Sequence, residues 1–243
     1  LNFYNDRYKI KIDASINLIM IVMKISMAFM KDTHESHLMP CDNSFKKKRG
    51  RPKCFDEQQA LQKAMLLFWE HGFEATSMSD LTQALGLTAP SLYSSFGDKV
   101  GLFYKCIDYY LAHEACPIEA IFLEAKTAKV AFELFLYDNV QRLVQPNKPT
   151  GCMLVVATMN CSDHAQTVQH TILEKRLKTK QKMLERLKQG VENGDIAQSA
   201  SLQEIADFYA TVLQGLTVQA RDGATVQQLH KVVEHAMRSW DLF

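Results

Sequence analysis

The residues best placed to do chemistry are short and hydroxylic rather than acidic. Thr76, Ser77, Thr88, Ser91, Tyr93 and Ser94 crowd into one stretch that ends on Lys99. Hydroxyls and an ammonium at this density suit hydrogen bonding to phosphates and base edges, not bond making. A second set is the run Lys46-Lys47-Lys48-Arg49-Gly50-Arg51-Pro52-Lys53, a local positive patch in a chain of net charge only +1. Its Arg49-Gly50-Arg51-Pro52 core suits a narrow A·T minor groove. Tests for catalysis fail. The chain has no glycine-rich phosphate loop, no His-Glu-x-x-His and no Gly-x-Ser-x-Gly, so no enzyme and no cofactor are expected. Cys106 and His113 lie seven apart at helical spacing, with Cys116 close behind, a set that suits a soft or borderline metal. Burial of Cys106 as a small apolar residue is the commoner outcome.

These groups need elements to hold them. Ser77 is a good N-cap, with Asp80 placed to close a capping box on a helix from Met78 to Leu85. Leu81, Ala84 and Leu85 share one face of that helix, and Gly86 ends it. Thr88 caps the next helix, Ala89 to Ser95, whose Pro90 sits in the first turn, where its missing N–H costs nothing. That helix buries Leu92 and Phe96 and presents Thr88, Ala89, Ser91, Tyr93 and Ser94 outward. Helix, glycine turn, helix is the geometry that lays a second helix in the major groove of DNA. Asp98 caps a longer helix from Lys99 to about Ala115, stopped by Pro117. Ahead of the motif, Asp56 opens a bracing helix with Gln59 at the capping-box position and a buried stripe of Leu61, Ala64, Met65 and Phe68. Gly72 ends it.

From Gly50 to about Leu111 the chain resembles the N-terminal domain of the TetR (tetracycline-repressor) family of transcription regulators. The matching residues are Ala60-Leu61, Ala64, Leu67-Phe68-Trp69, Gly72-Phe73 and Ala75-Thr76-Ser77. They continue through Leu81, Ala84-Leu85-Gly86-Leu87, Ser91-Leu92-Tyr93, Phe96, Lys99 and Leu102-Phe103. The resemblance implies an all-α fold, with a three-helix helix-turn-helix domain followed by a helical domain for effector binding and dimerisation. It implies double-stranded operator DNA, a second copy of the chain and a small-molecule effector as partners. Among the DNA-binding candidates, Thr76, Ser77, Tyr93, Ser94 and Lys99 would mainly grip phosphate, Thr88, Ala89, Pro90 and Ser91 would face bases, and Arg49 and Arg51 belong to the DNA-contacting arm.

The domains expected are a leader (1–45), a basic arm (46–55), the helix-turn-helix domain (56–115, reading motif 77–96) and the second domain (116–243). In the leader, Ala14 to Met30 is apolar but is interrupted by Lys24, and it falls short of the roughly 20 apolar residues that a membrane span needs. The leader reads as an over-extended start or a poorly ordered segment, without functional content in either case, Met30 and Met39 being starts nearer the recognisable domain. Six cysteines without a Cys-x-x-Cys pair suit reduced thiols in a cytoplasmic protein.

The second half reads as helices over 118–144, 151–161, 165–192, 202–221 and 225–240, with no strand alternation. Ile205, Phe208, Tyr209, Val212, Leu213 and Leu216 recur at helical spacing, as do Leu229, Val232, Val233, Ala236, Met237 and Trp240. In the resembled family the last two helices pair between subunits, which makes Phe208, Val212, Leu216, Leu229, Val233, Met237 and Trp240 the expected dimer interface. Phe122, Phe132, Phe135, Met153, Val156 and Met159 are the candidate effector-pocket lining. The function expected is a DNA-binding repressor released from a palindromic operator by an effector. The alternative is a helical dimeric ligand carrier, or a metal- or thiol-sensing protein.

Overall fold

The computed structural model describes residues 56–159 and 161–243. Arg49 and Arg51, with the leader and the basic arm, lie outside the described residues.

Helices begin where a side chain can take their first free N–H groups. Asp56 accepts from the Gln58 and Gln59 amides at 2.9 and 3.2 Å and opens α1, Glu57–His71. Ser77 and Asp80 form the reciprocal box on α2, Met78–Leu85. Gly86 follows in the left-handed conformation, φ 64°, which turns the chain into α3, Ala89–Phe96. Asp98 accepts from the Gly101 amide at 2.7 Å and opens α4, Lys99–His113.

The expected helix over 118–144 is two helices, α5 (Ile118–Glu124) and α6 (Ala128–Leu143). Thr127 leaves helical geometry and accepts from the Val130 amide at 3.3 Å, while Asp195 Oδ2 takes the Ala128 amide at 2.7 Å. The helix expected over 151–161 shrinks to α7, Met153–Val156. Then come α8 (Gln166–Glu192), α9 (Leu202–Arg221) and α10 (Val226–Arg238), the last ending in a 3-10 turn at Ser239–Leu242. No strand occurs among the described residues.

Two cores result. The first joins α1–α4 to α7 and the start of α8 through Met65, Phe68, Leu81, Leu92, Phe103, Met153 and Ile172. The second joins α5, α6, the end of α8, α9 and α10. On α1 the buried residues are Ala60, Ala64, Met65, Phe68 and Trp69, so the stripe is rotated and Leu61 is only half-buried. On α2 only Leu81 is buried, and Ala84 is exposed.

The segment around α7 ties the two cores together. Trp69 Nε1 donates to the Gly151 carbonyl at 2.8 Å, the Phe73 amide donates to Ala157 at 2.9 Å, and the Gly151 amide donates to Leu143 at 2.9 Å. Cys152 packs against both cores.

Candidate nucleic-acid interface

The α3 helix divides cleanly into two faces. Leu92 and Phe96 are buried at 0% and 4% exposure, while Thr88, Ala89, Pro90, Ser91, Tyr93 and Ser94 are all exposed. Burying Leu92 fixes the helix rotation, and that rotation turns the hydroxyls outward. Thr88 Oγ1 accepts from the Ser91 amide at 3.4 Å and lies 2.9 Å from Ser91 Oγ. The cap therefore also orients one of the candidate base-reading hydroxyls. Tyr93, nearly half exposed, carries its phenol on the opposite flank from Ser91, because two residues turn an α-helix by about 200°.

Two of the backbone-gripping candidates take different positions from those expected. Thr76 is 1% exposed and its hydroxyl donates to the Gly72 carbonyl at 2.7 Å, so its side chain closes the α1–α2 turn instead of facing outward. Lys99 is half-buried: its Nζ donates to the Glu74 carbonyl at 3.3 Å and lies 4.5 Å from the centre of the Phe73 ring. Burial pulls its pKa down, with Glu74 opposing that shift. Ser77 remains exposed, but its hydroxyl is engaged with Asp80 at 2.7 Å.

Lys105 is a residue the sequence reading missed. Its Nζ donates to the Ser95 carbonyl at 3.3 Å, lies 5.1 Å from the Phe96 ring centre and 3.6 Å from Glu57. A cation at the C-terminal end of α3 complements the helix dipole there. Its place nearly two turns inside α4 was the available signal.

The α1–α4 head, the helix-turn-helix domain, is also joined to the second half through Glu74. Glu74 Oε1 accepts from Ser162 Oγ at 2.6 Å and from the Ser162 amide at 3.2 Å, and these bonds hold its carboxyl below the usual glutamate range. A pKa depressed in the folded state stabilises above the ordinary glutamate pKa, and the contribution is lost as pH falls through the folded value. Ser162→Ala is therefore expected to lower the melting temperature slightly at neutral pH, with the gap to the parent closing below about pH 4. A gap that stays constant from neutral pH to acid would remove this joint.

The other candidate sets are redistributed. Phe122, Phe132 and Phe135 pack ring on ring at 5.5 and 5.6 Å, and Phe132 also meets Tyr209 and Trp240 at 5.2 and 5.3 Å. They fill the second core, whereas Met153 and Val156 belong to the first and Met159 is 55% exposed. These six residues therefore line no common cavity. A hollow of about 500 Å³ lies instead along α1 beside Leu66, Leu67, Lys148 and Pro149. Another of about 360 Å³ lies beside Thr127, Ile205, Trp240 and Phe243.

Of the expected dimer residues, Leu216, Leu229, Val233 and Met237 are buried inside the chain at 7% exposure or less. Phe208, Val212 and Trp240 are half-buried, with Phe208 against the Tyr209 and Phe243 rings. The outward face runs through Thr211, Gly215 and Gln219 on α9 and Val232 and His235 on α10.

Cys106 is fully buried with its thiol against the Leu61 carbonyl at 3.7 Å, and burial pushes its pKa up. His113 is exposed, its ring 4.3 Å from that of Tyr109, so the two do not share a site. No cluster of three or more metal-ligating side chains occurs among the described residues. Nor is any described helix long and apolar enough to cross a membrane.

Comparison with known proteins agrees with this geometry. Residues 60–106 match the family model "Bacterial regulatory proteins, tetR family". The chain is 33% identical over 196 residues to the HTH-type transcriptional repressor ComR of Escherichia coli (strain K12), covering 80% of this chain and 93% of that protein. It is 29% identical over 180 residues to the HTH-type transcriptional repressor BdcR of the same organism, covering 74% and 86%. Among solved structures it superposes, with a TM-score of 0.76 and 36% identity over 78% of this chain and 100% of the other, on a cysteine mutant of the TetR family transcriptional regulator CifR complexed with 26-bp double-strand operator DNA. With a capped helix-turn-helix in the matched segment and a 33% identical relative spanning most of both chains, the chain belongs to the TetR family of bacterial regulatory proteins.

Proposed function

We propose that the chain is a cytoplasmic, sequence-specific transcriptional repressor without enzymatic activity. It binds a palindromic operator as a homodimer and is released by a small-molecule effector. The observation that carries this reading is the outward face of α3, where small and hydroxylic residues stand over a buried Leu92 and Phe96. Such a face can approach the floor of a groove that bulkier side chains would block. In a two-fold dimer the two α3 helices would enter successive major grooves, with half-sites spaced by about 34–36 Å or a multiple. The operator complex of the 36% identical regulator supports the same use of the helix. An effector releases DNA only to the extent that it binds the DNA-incompetent conformer more tightly.

The roles divide between Ser91, aimed at a base edge, and Tyr93, aimed at phosphate. Selection of bound sequences from a random DNA pool would supply the operator, and a panel of its single-base variants would test the roles. Tyr93→Phe is expected to weaken binding to every sequence by roughly 1 kcal/mol, the net worth of one hydrogen bond, because phosphates carry no sequence. Ser91→Ala is expected to change base preference at one symmetric pair of positions. If Tyr93→Phe shifts the preference and Ser91→Ala weakens all sequences alike, the helix enters the groove in another rotation. Failure to enrich any sequence would overturn the repressor reading.

A further inference from the structure

The second core contains a charge that nothing among the described residues balances. Arg186 lies on the inner face of α8 between the fully buried Met183 and Leu187, and is itself 4% exposed. Its Nη2 donates to the Ala125 carbonyl at 3.3 Å, while Nε and Nη1 have no partner. Among the described residues no carboxylate lies within ion-pair distance of it. Arginine is almost never fully buried without a partner. A guanidinium cannot shed its charge at any ordinary pH, so the usual escape of a buried base is closed. Leaving such an ion uncompensated costs several kcal/mol.

A candidate counter-charge on the α5–α6 link, Asp195, is used elsewhere. Asp195 braces the same link between α5 and α6 as Arg186, but its Oδ2 takes the Ala128 amide at 2.7 Å. Its Oδ1 is buried without a partner against Gly190, one turn beyond Arg186, where a Cβ would come within 2.5 Å of it. The two side chains thus clamp the two ends of the link, arginine at the Ala125 carbonyl just past α5 and aspartate at the first amide of α6. Neither charge neutralises the other.

We infer that Arg186 is the anchor of a binding site for a small monocarboxylate, and that this is the class of effector to which the proposed repressor responds. The inference rests on the repressor reading only for the word effector; the site itself stands on the buried guanidinium. A carboxylate is the planar anion that matches guanidinium donors. The core around it is packed by Ile121, Phe122, Met183 and Leu187, so the body of the anion must be short and apolar and enters as these side chains give way. The bound anion would rest on the α5–α6 break, where a change in the angle of α6 is passed to Leu143 and so to the Gly151 carbonyl that Trp69 holds.

The test uses the full chain with sodium butyrate and sodium benzoate as probes, and n-butylamine and sodium chloride at equal ionic strength as controls. Butyrate or benzoate is expected to raise the melting temperature with concentration, by about 3 °C or more near saturation, with no response to the controls. Arg186→Met is expected to remain folded and lose the response. Arg186→Lys keeps the charge but not the planar donor set, and is expected to weaken carboxylate binding about tenfold by calorimetry. The lysine variant decides the matter if the methionine variant does not fold. No response in the parent, an equal response in Arg186→Met, or unchanged affinity in Arg186→Lys would each overturn the site. Operator binding by the parent without carboxylate is measured alongside. Its loss would sink the repressor reading, whereas a missing carboxylate response with operator binding intact sinks only the site.

Discussion

Gly151→Ala is expected to destabilise the whole chain more than Gly194→Ala, although both substitutions place a side chain at a strongly positive φ. The angles are 84° and 77°, so each costs about 1–3 kcal/mol of backbone strain. At Gly194 a Cβ meets nothing within 4 Å. At Gly151 it would sit 3.1 Å from Val156 Cγ1, 3.2 Å from the Thr217 carbonyl and 3.3 Å from Thr217 Cγ2. Two of those three atoms belong to Thr217, which is itself fully buried, so the crowding cannot relax by a simple swing of a surface group. The displaced carbonyl of Gly151 is also the acceptor for Trp69 Nε1, and its amide is the donor to Leu143. Pushing residue 151 outward therefore strains the two cores at the point where they meet. The excess over the Gly194 control is expected to be on the order of 1–3 kcal/mol, in the range of overpacking. Urea melts of the two variants read that difference directly. Operator affinity should fall with Gly151→Ala and hold with Gly194→Ala, because only the former displaces the segment that fixes α1. Equal destabilisation would mean that the joint is loose and that α1 is positioned by the first core alone.

The head was legible in the sequence because its information is local. Ser77, Asp80, Gly86, Thr88, Pro90 and Asp98 each specify a helix end within three residues of themselves, and each does so in the structure. Thr76 shows where local reading stops. Its type suggested a surface hydroxyl, but its neighbour in space is the Gly72 carbonyl one turn back, and the side chain is buried there. Lys99 stands at the expected helix start, yet its ammonium is claimed by Glu74 and Phe73 from another element. The second half was less legible. An apolar run reads the same whether a helix continues or breaks, so the kink between α5 and α6 depended on the Thr127 cap and on Asp195, far along the chain. Helical spacing likewise cannot tell an intra-chain core from an interface. Leu216, Leu229, Val233 and Met237 have the right spacing and turn inward. Arg186 gave no signal at all, since an arginine after Glu185 on a long, charge-rich helix reads as a solvated side chain.

That last ambiguity supplies a test of the dimer in which neighbouring residues give opposite outcomes. Leu216 is 1% exposed, so Leu216→Glu buries a carboxylate among Tyr209, Leu229 and their neighbours in the second core and should unfold it. Gly215, the residue before it, is exposed, and a Cβ there meets nothing within 4 Å. In an isolated chain Gly215→Glu is therefore harmless, and by replacing a mid-helix glycine it should gain up to about 1 kcal/mol of helix propensity. In a dimer built on the outer faces of α9 and α10, the same carboxylate would enter the seam beside Thr211, Val212 and Val232. The expected result is a folded monomer by ultracentrifugation and circular dichroism. Loss of two-site engagement should then cost operator affinity on the order of a hundredfold or more, since a monomer reads one half-site at a time. Adding a bivalent crosslink between two Gly215→Glu chains should restore much of that loss without changing α3. If Gly215→Glu remains a dimer with full operator affinity, the second copy docks elsewhere. The exposed glycine in the middle of α9 then has no packing role.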